Sequence, residues 1–308
     1  MSLRSTARRE VILRAYAMGL TQDMASALAD FLAPIVPVGV ATGKYKEYSD
    51  KQAFAVYNTA RALGGGATRI KFEATDKSFD CTPQALEIPI DDHERDLVGV
   101  DDSAAQSDLE QAKIRTLVIN AGLSREARVF ELAATIANRA GFGGWTDPAS
   151  DPIAELNSII ELIATRCGMM PNALAFGLGA YRALVSHPKV KADCGITGST
   201  CDPKMVVAKL LNPAIDLRIG VLSRDTVKFG KDKSAVNVVG ANVYCFIRQA
   251  NPTPYDPSAM KTFVTRASGV DDVMSYRDET ANSDVYKVGW SEDVKITGTA
   301  CIERLEIS

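Results

Sequence analysis

A single hydrophobic repeat decides much of what this chain can become. From an N-cap at Asp101 and Asp102 to about Ala140, the residues Leu109, Ala112, Leu117, Val118, Ala121, Phe130, Ala134, Ile136 and Ala137 recur at helical spacing. A helix of that extent spans about 60 Å, longer than most compact domains need. Gly122 weakens its middle by about 1 kcal/mol relative to Ala.

The segments before it are short of apolar surface. Two short helices are predicted in the first 35 residues, one with Val11, Ile12, Ala15 and Met18 on a face, the next with Met24, Leu28 and Phe31 or Leu32, stopped by Pro34. Their stripe needs another surface, from the same chain or from a neighbour. From Ile35 to about Asp92 the pattern is extended and polar, with glycines at 64, 65 and 66. Here Thr68 to Ala74 reads as an outgoing strand, Ala74 to Lys77 as a turn, and Lys77 to Cys81 as the return. Such a hairpin is unstable alone and must dock.

Beyond Gly141-Phe-Gly-Gly-Trp145 the chain becomes mixed α/β. Asp151-Pro152 opens a helix whose Ile153, Leu156, Ile159, Ile160, Ile163 and Cys167 share a face up to Gly168. Asn172 to Phe176 is strand-like, Gly179 to His187 is a helix stopped by Pro188, and Asp202-Pro203 caps Met205 to Leu211. After residue 215 strands are expected at Leu217–Leu222, Thr226–Phe229, Ala235–Val239, Asn242–Arg248, Thr262–Thr265, Val285–Trp290 and Lys295–Glu306.

A search for chemistry finds little to build on. The glycines at 64–66 and Gly177-Leu-Gly179 lack the continuation of a phosphate-binding loop and read as turns or tight packing sites. His93 lies in a charged turn, Asp91-Asp92-His93-Glu94-Arg95, and His187 reads as a cationic cap at a helix C-terminus. Gly198-Ser199-Thr200 lacks the geometry of a nucleophile elbow. Cys194 and Cys201, with His187 upstream, do not have the spacing of structural zinc and read as loop or core residues. No catalytic, cofactor or metal site is assigned.

With 35 Lys and Arg against 38 Asp and Glu, the net charge of −3 argues against a dedicated nucleic-acid reader. A container around nucleic acid remains compatible, since its lining need only avoid gripping phosphates. The six cysteines lack the dense spacing of a secreted disulfide scaffold and read as mostly reduced. The start is a poor signal peptide, and no stretch of about 20 apolar residues suggests a membrane span.

Several phrases carry a resemblance: Gly43-Lys-Tyr-Lys-Glu-Tyr-Ser49 before the extended segment, Leu86-Glu-Ile-Pro-Ile-Asp-Asp-His-Glu-Arg95 before the long helix, and Pro171-Asn-Ala-Leu-Ala-Phe-Gly177 followed by Ala180-Tyr-Arg-Ala-Leu-Val-Ser-His-Pro188. In this order they resemble the major capsid proteins of tailed bacteriophages that share the Hong Kong 97 fold. The resemblance implies an α+β subunit with an N-terminal arm (1–40), an extended loop (41–92), a peripheral domain with a spine helix (93–146), an axial domain (147–266) and peripheral C-terminal strands (267–308). It also implies hexamers and pentamers of an icosahedral shell that encloses double-stranded DNA without reading its sequence. Separate scaffolding, portal and decoration proteins are the further partners it suggests. Loop residues Arg69, Lys71, Phe72, Asp76, Lys77 and Phe79 are the expected contacts between subunits. Two other readings stay open at this stage: an encapsulin-type compartment of the same fold, and an α/β enzyme with an unrecognised site in residues 147–215.

Overall fold

The structure is a computed structural model that describes residues 24, 26–48, 54–61, 63, 65, 67–70, 74–98, 103–195, 201–227, 230–232, 234–254, 256–265 and 273–308. The first predicted arm helix, the caps at Asp101 and Asp102, Gly64 and Gly66, Lys71 and Phe72, and Gly198 to Thr200 lie outside them.

The chain enters through a short helix, α1 (Ala29–Leu32), and a short strand, β1 (Ile35–Pro37). A polar two-stranded ribbon follows, β2 (Thr42–Tyr48) antiparallel to β3 (Ala74–Asp80), with Gly43 opposite Phe79 and Tyr48 opposite Ala74. The expected turn at Ala74–Lys77 is therefore wrong: those residues are continuous strand, and their partner lies some thirty residues upstream. Next come β4 (Thr82–Asp91), α2 (Asp92–Val98) and the long helix α3 (Ser103–Ala133). At 31 residues α3 extends about 46 Å, and it stops short of the expected Ala140. Its end has a tertiary cause: the Arg304 guanidinium donates to the carbonyls of Ala134 and Ile136, and Arg139 N–H donates to the Arg304 carbonyl.

Helix α4 (Pro152–Cys167) forms as its signals direct. Asp151 accepts from Ala154 N–H, Pro152 stands in the first turn, and Gly168 closes the helix in the left-handed region at φ 65°. Then follow β5 (Ala173–Gly177), α5 (Leu178–Ser186), α6 (Pro188–Asp193) and α7 (Pro203–Val207), the last capped by Asp202 as expected. The β-rich remainder comprises β6 (Asp216–Gly220), β7 (Ser223–Asp225), β8 (Ala235–Asn237), β9 (Asn242–Phe246), β10 (Met260–Val264), β11 (Val273–Asp278), β12 (Ser283–Ile296) and β13 (Ile302–Glu306). Of the predicted strand Thr226–Phe229, Thr226 and Val227 follow β7 outside any strand while residues 228 and 229 lie outside the described residues, and it is β7 that pairs with β8. The predicted Lys295–Glu306 strand is broken by a 3₁₀ turn at Thr299–Cys301.

Two main sheets result. The first is organised on β12, which carries β4 along one edge and β11 then β10 along the other, with β1 parallel to β10. The second has the order β13-β9-β5-β6. In β4, Pro83 and Pro89 stand opposite Ser291 and Val285, six residues apart and hence of the same parity. Proline has no N–H, so the ladder to β12 survives because this parity faces the edge without a strand partner among the described residues.

The length of α3 is explained by what it touches. Ile114, Leu117, Val118 and Ala121 pack on the first sheet with Ile90, Val273, Tyr286, Val288 and Trp290. Val129, Phe130 and Ala133 belong to a separate and larger cluster with α1, α4 and the second sheet. One helix thus joins two hydrophobic cores. The expected stripe was displaced in places: Ala112, Ala134 and Ala137 are exposed, while Ile114 and Val129 are buried.

His187 corrects another expectation. Its ring is buried between α5 and α6, Nδ1 accepts the Lys189 N–H at 3.3 Å, and Nε2 lies 3.1 Å from the Asp147 carbonyl. A carbonyl only accepts, so the ring proton sits on Nε2 and the imidazole is the N-cap of α6, in place of a cationic cap on α5. His187→Ala is expected to cost about 2 kcal/mol, read from the urea midpoint, because it removes the cap of α6 and empties the space of a buried ring.

Candidate functional site

The seam between the two cores is polar, and it is where the N-terminal segment is fastened. Glu126, on α3, is 1% exposed, and its carboxylate accepts the N–H groups of Leu28 and Ala29 at 2.8 and 2.7 Å. Those N–H groups start α1 and have no partner within so short a helix, so a carboxylate from elsewhere supplies the cap. Burial drives the Glu126 pKa up, and the negative Asp30 adds to this; the two N–H bonds and Arg125 oppose it without reversing it. Arg125 bonds Asp30 at 2.5 Å and Glu292 at 3.1 Å, and Arg128 bonds Glu292 at 2.7 Å, tying helix, N-terminal segment and β12 together.

Around this seam the N-terminal segment is part of the body. Leu28, Ala29, Phe31, Leu32 and Ala33 are core residues, and the Arg218 and Arg248 guanidinium groups lie 4.4 and 5.2 Å from the Phe31 ring centre. Met24 packs where a side chain at Gly122 would stand: a Cβ there would meet the Met24 sulfur at 2.7 Å. The glycine that weakens α3 thereby admits the entering chain. The surface that Met24, Leu28, Phe31 and Leu32 required is supplied by the same chain.

The ribbon β2–β3 is anchored at its base. Phe79 stacks on Phe263 of β10 at 4.7 Å between centroids, and Tyr45 lies 5.5 Å from the same ring. Val36, Cys81 and Phe263 complete this small cluster. Asp293 accepts from Asp80 N–H, and Ser291 donates to the Cys81 carbonyl. Phe79 is 5% exposed, so its ring is covered from within the chain. Arg69, Asp76 and Lys77 are exposed, with Asp76 4.0 Å from Lys44. Between the two strands in sequence, Val56 and Leu63 have essentially their whole side chains in water, and Phe54 and Ile70 about half, with the Phe54 ring near Gly168.

At the other end of α3 a charged network braces the first sheet. Arg95 bonds Glu110 and Asp284, Lys113 bonds Glu94, and Arg277 forks onto Asp92 while reaching Asp284. The Arg277 guanidinium holds the Asp92 carboxyl below its usual range. His93, in the same stretch, is exposed as expected. The charged phrase from Asp91 to Arg95 is thus a clamp between α2, α3 and β11–β12. The clamp is not legible locally, because Asp92 and its partner Arg277 lie 185 positions apart.

Among the described residues no cluster of three or more His, Cys, Asp or Glu is placed to hold a metal ion. The Cys194 thiol hydrogen-bonds the buried Cys201 with no disulfide between them, and burial pushes the Cys194 pKa up. No helix among the described residues is long and apolar enough to cross a membrane. A cleft of 530 Å³ lies between residues 135–140 and the 3₁₀ turn, and the charged Arg166 and Glu303 in its wall pair with each other. What the arrangement offers is surface: a cored body, an anchored ribbon and an exposed apolar segment at 54–70.

No family model matches the chain. It is 29% identical over 261 residues to the major capsid protein of Burkholderia phage BcepMu, covering 80% of each. It is 27% identical over 225 residues to the major capsid protein of Pseudomonas phage JBD67, covering 69% of each. Among solved structures it resembles a phage-related protein from Bordetella bronchiseptica, with a TM-score of 0.72 and 22% identity over 98% of both chains. The capsid structure of a cyanophage gives 0.54 at 10% identity, over 90% of this chain and 86% of that one. An encapsulin complex from Synechococcus elongatus gives 0.52 at 10% identity, over 91% and 86%. The chain has the Hong Kong 97-type capsid fold.

Proposed function

We infer that this chain is a structural shell subunit, a phage major capsid protein that closes with copies of itself into an icosahedral particle around a genome. The observation that carries the reading is the alignment with the BcepMu major capsid protein across 80% of both chains. The fold adds weight, and so does the exposed apolar segment at 54–70, which a neighbouring copy would cover. Its work is mechanical, without catalysis.

In this proposal residues 1–40 are the arm, 41–92 the extended loop, 93–146 and 267–308 the peripheral domain and 147–266 the axial domain. Two strands cross that division, β10 lying in the first sheet and β13 in the second. Arg69, Lys71, Phe72, Asp76 and Lys77 are proposed contacts to neighbours in hexamers and pentamers, with Phe79 acting from behind as the ribbon's anchor. Scaffolding, portal and decoration proteins are the proposed accessory partners, and double-stranded DNA the enclosed cargo. The particle is assembled in the host cytoplasm and becomes the capsid of the virion.

The test is expression of the full chain, alone and with a scaffolding protein from the same genome, followed by electron microscopy. Closed shells or hexameric rings are expected. Monomers that persist at high concentration under both conditions overturn the reading. Shells that copurify with a packaged enzyme and no nucleic acid would transfer the chain to the encapsulin class.

A further inference from the structure

The six cysteines are joined by no disulfide, yet two of them face each other where α4 meets the C-terminal strand, beside the Arg166–Glu303 ion pair. Cys167 ends α4, and Cys301 closes the 3₁₀ turn that leads into β13. Their sulfurs are 3.2 Å apart, and the Cys167 thiol lies 3.1 Å from the Ala300 carbonyl. Cys167 is half-buried and Cys301 is 8% exposed. Residues next to them in the chain, Arg166 on one side and Thr299 and Ile302 on the other, line the 530 Å³ cleft, so the pair lies beside an open surface recess.

We propose that Cys167 and Cys301 are a thiol–disulfide couple that locks α4 to the C-terminal strand. This goes beyond the shell reading and does not depend on it. A disulfide needs sulfurs about 2.05 Å apart, so closure asks each side to move by roughly half an ångström. The oxidant is a low-molecular-weight disulfide. The Cys167 thiolate, more exposed of the two, attacks one of its sulfurs; that S–S bond breaks, and the departing small thiolate takes up a proton. Cys301 then loses its proton to solvent and attacks the Cys167 sulfur, expelling the second small thiol. Two protein thiols are oxidised by two electrons, and one small disulfide is reduced to two thiols.

The partners are 134 positions apart, so the bond closes a long loop and constrains the unfolded chain strongly. In a thiol-buffered interior it stays open; in oxidising surroundings it closes. Cys194 and Cys201 are the competing pair, and peptide mapping separates the two bonds.

The experiment equilibrates the full chain with graded ratios of glutathione disulfide to glutathione, traps it with an alkylating reagent and maps peptides by mass spectrometry. A linked Cys167–Cys301 peptide within one subunit is expected. With it should come a rise in unfolding midpoint of roughly 5–10 °C that dithiothreitol reverses. Cys167→Ser and, independently, Cys301→Ala should abolish both. The proposal is overturned if both thiols remain alkylated at the most oxidising ratio. It is equally overturned if Cys167 stops at the mixed disulfide, or if either residue bonds a different cysteine or a second subunit.

Discussion

Phe263→Ala is expected to lower the unfolding free energy by about 3–5 kcal/mol, the largest single-residue effect the fold predicts. Phe263 is fully buried in β10, and its ring carries both Phe79 and Tyr45. Removing it leaves a cavity between the first sheet and the ribbon, where Phe79 and Tyr45 lose the ring they pack against. The aromatic pairs contribute a further ~0.5–1.5 kcal/mol each beyond burial. Urea unfolding gives the magnitude, and proteolysis gives the location. Cleavage near β2 and β3 should begin at urea concentrations that leave the second sheet intact. If the ribbon stays protected while global stability falls, Phe263 serves the sheet alone and the ribbon is held by something else.

Glu126→Ala should cost about 3 kcal/mol, because two buried N–H groups each lose an acceptor at a cost of about 1–3 kcal/mol, partly offset by relief of a buried carboxylate. The loss should appear first as detachment of residues 28–33, seen as early hydrogen exchange at Leu32 and Ala33, whose N–H groups bond Leu28 and Ala29. The acid dependence has a definite sign. The Glu126 pKa is raised in the folded chain, so the native state binds the proton more tightly than the unfolded one. Its contribution is therefore fully present below the ordinary glutamate range and is lost as pH rises through the raised value. Stability of the wild type relative to Glu126→Gln should accordingly fall as pH increases across that window. A difference flat with pH would mean that the two N–H bonds cancel the effect of burial.

Local signals in this sequence were legible where the partner is a few residues away. Helix α4 could be read whole, because its Asp151 cap, its first-turn proline, its apolar face and its glycine stop all lie inside 18 consecutive residues. The long helix was legible as a helix, but its end was not, since what stops it is Arg304 arriving from the far end of the chain. The ribbon was misread for a related reason. Thr42–Tyr48 is too polar to show alternation, so nothing local marks it as the partner of Ala74–Asp80. Strand β11 was missed as a polar edge strand of the first sheet. At the candidate site, the apolar stripe of Leu28, Phe31 and Leu32 announced that a surface was needed. It did not announce that a single carboxylate, 98 positions away from Leu28, would secure it. A lone Glu on a helix otherwise reads as solvated, so no sequence cue distinguishes Glu126 from its exposed neighbours.

Under the shell reading, the two prolines of β4 have a consequence for how copies of the chain can meet. An open sheet edge invites the identical edge of another molecule, and repeated without closure that pairing yields ribbons or filaments. Along this margin the amides that would recruit a second backbone come only at Ala85, Glu87 and Asp91, interrupted at Pro83 and Pro89. Linear stacking is starved of donors there, so any contact between copies along this flank falls to side chains, whose shape and charge can specify a finite arrangement in place of a filament.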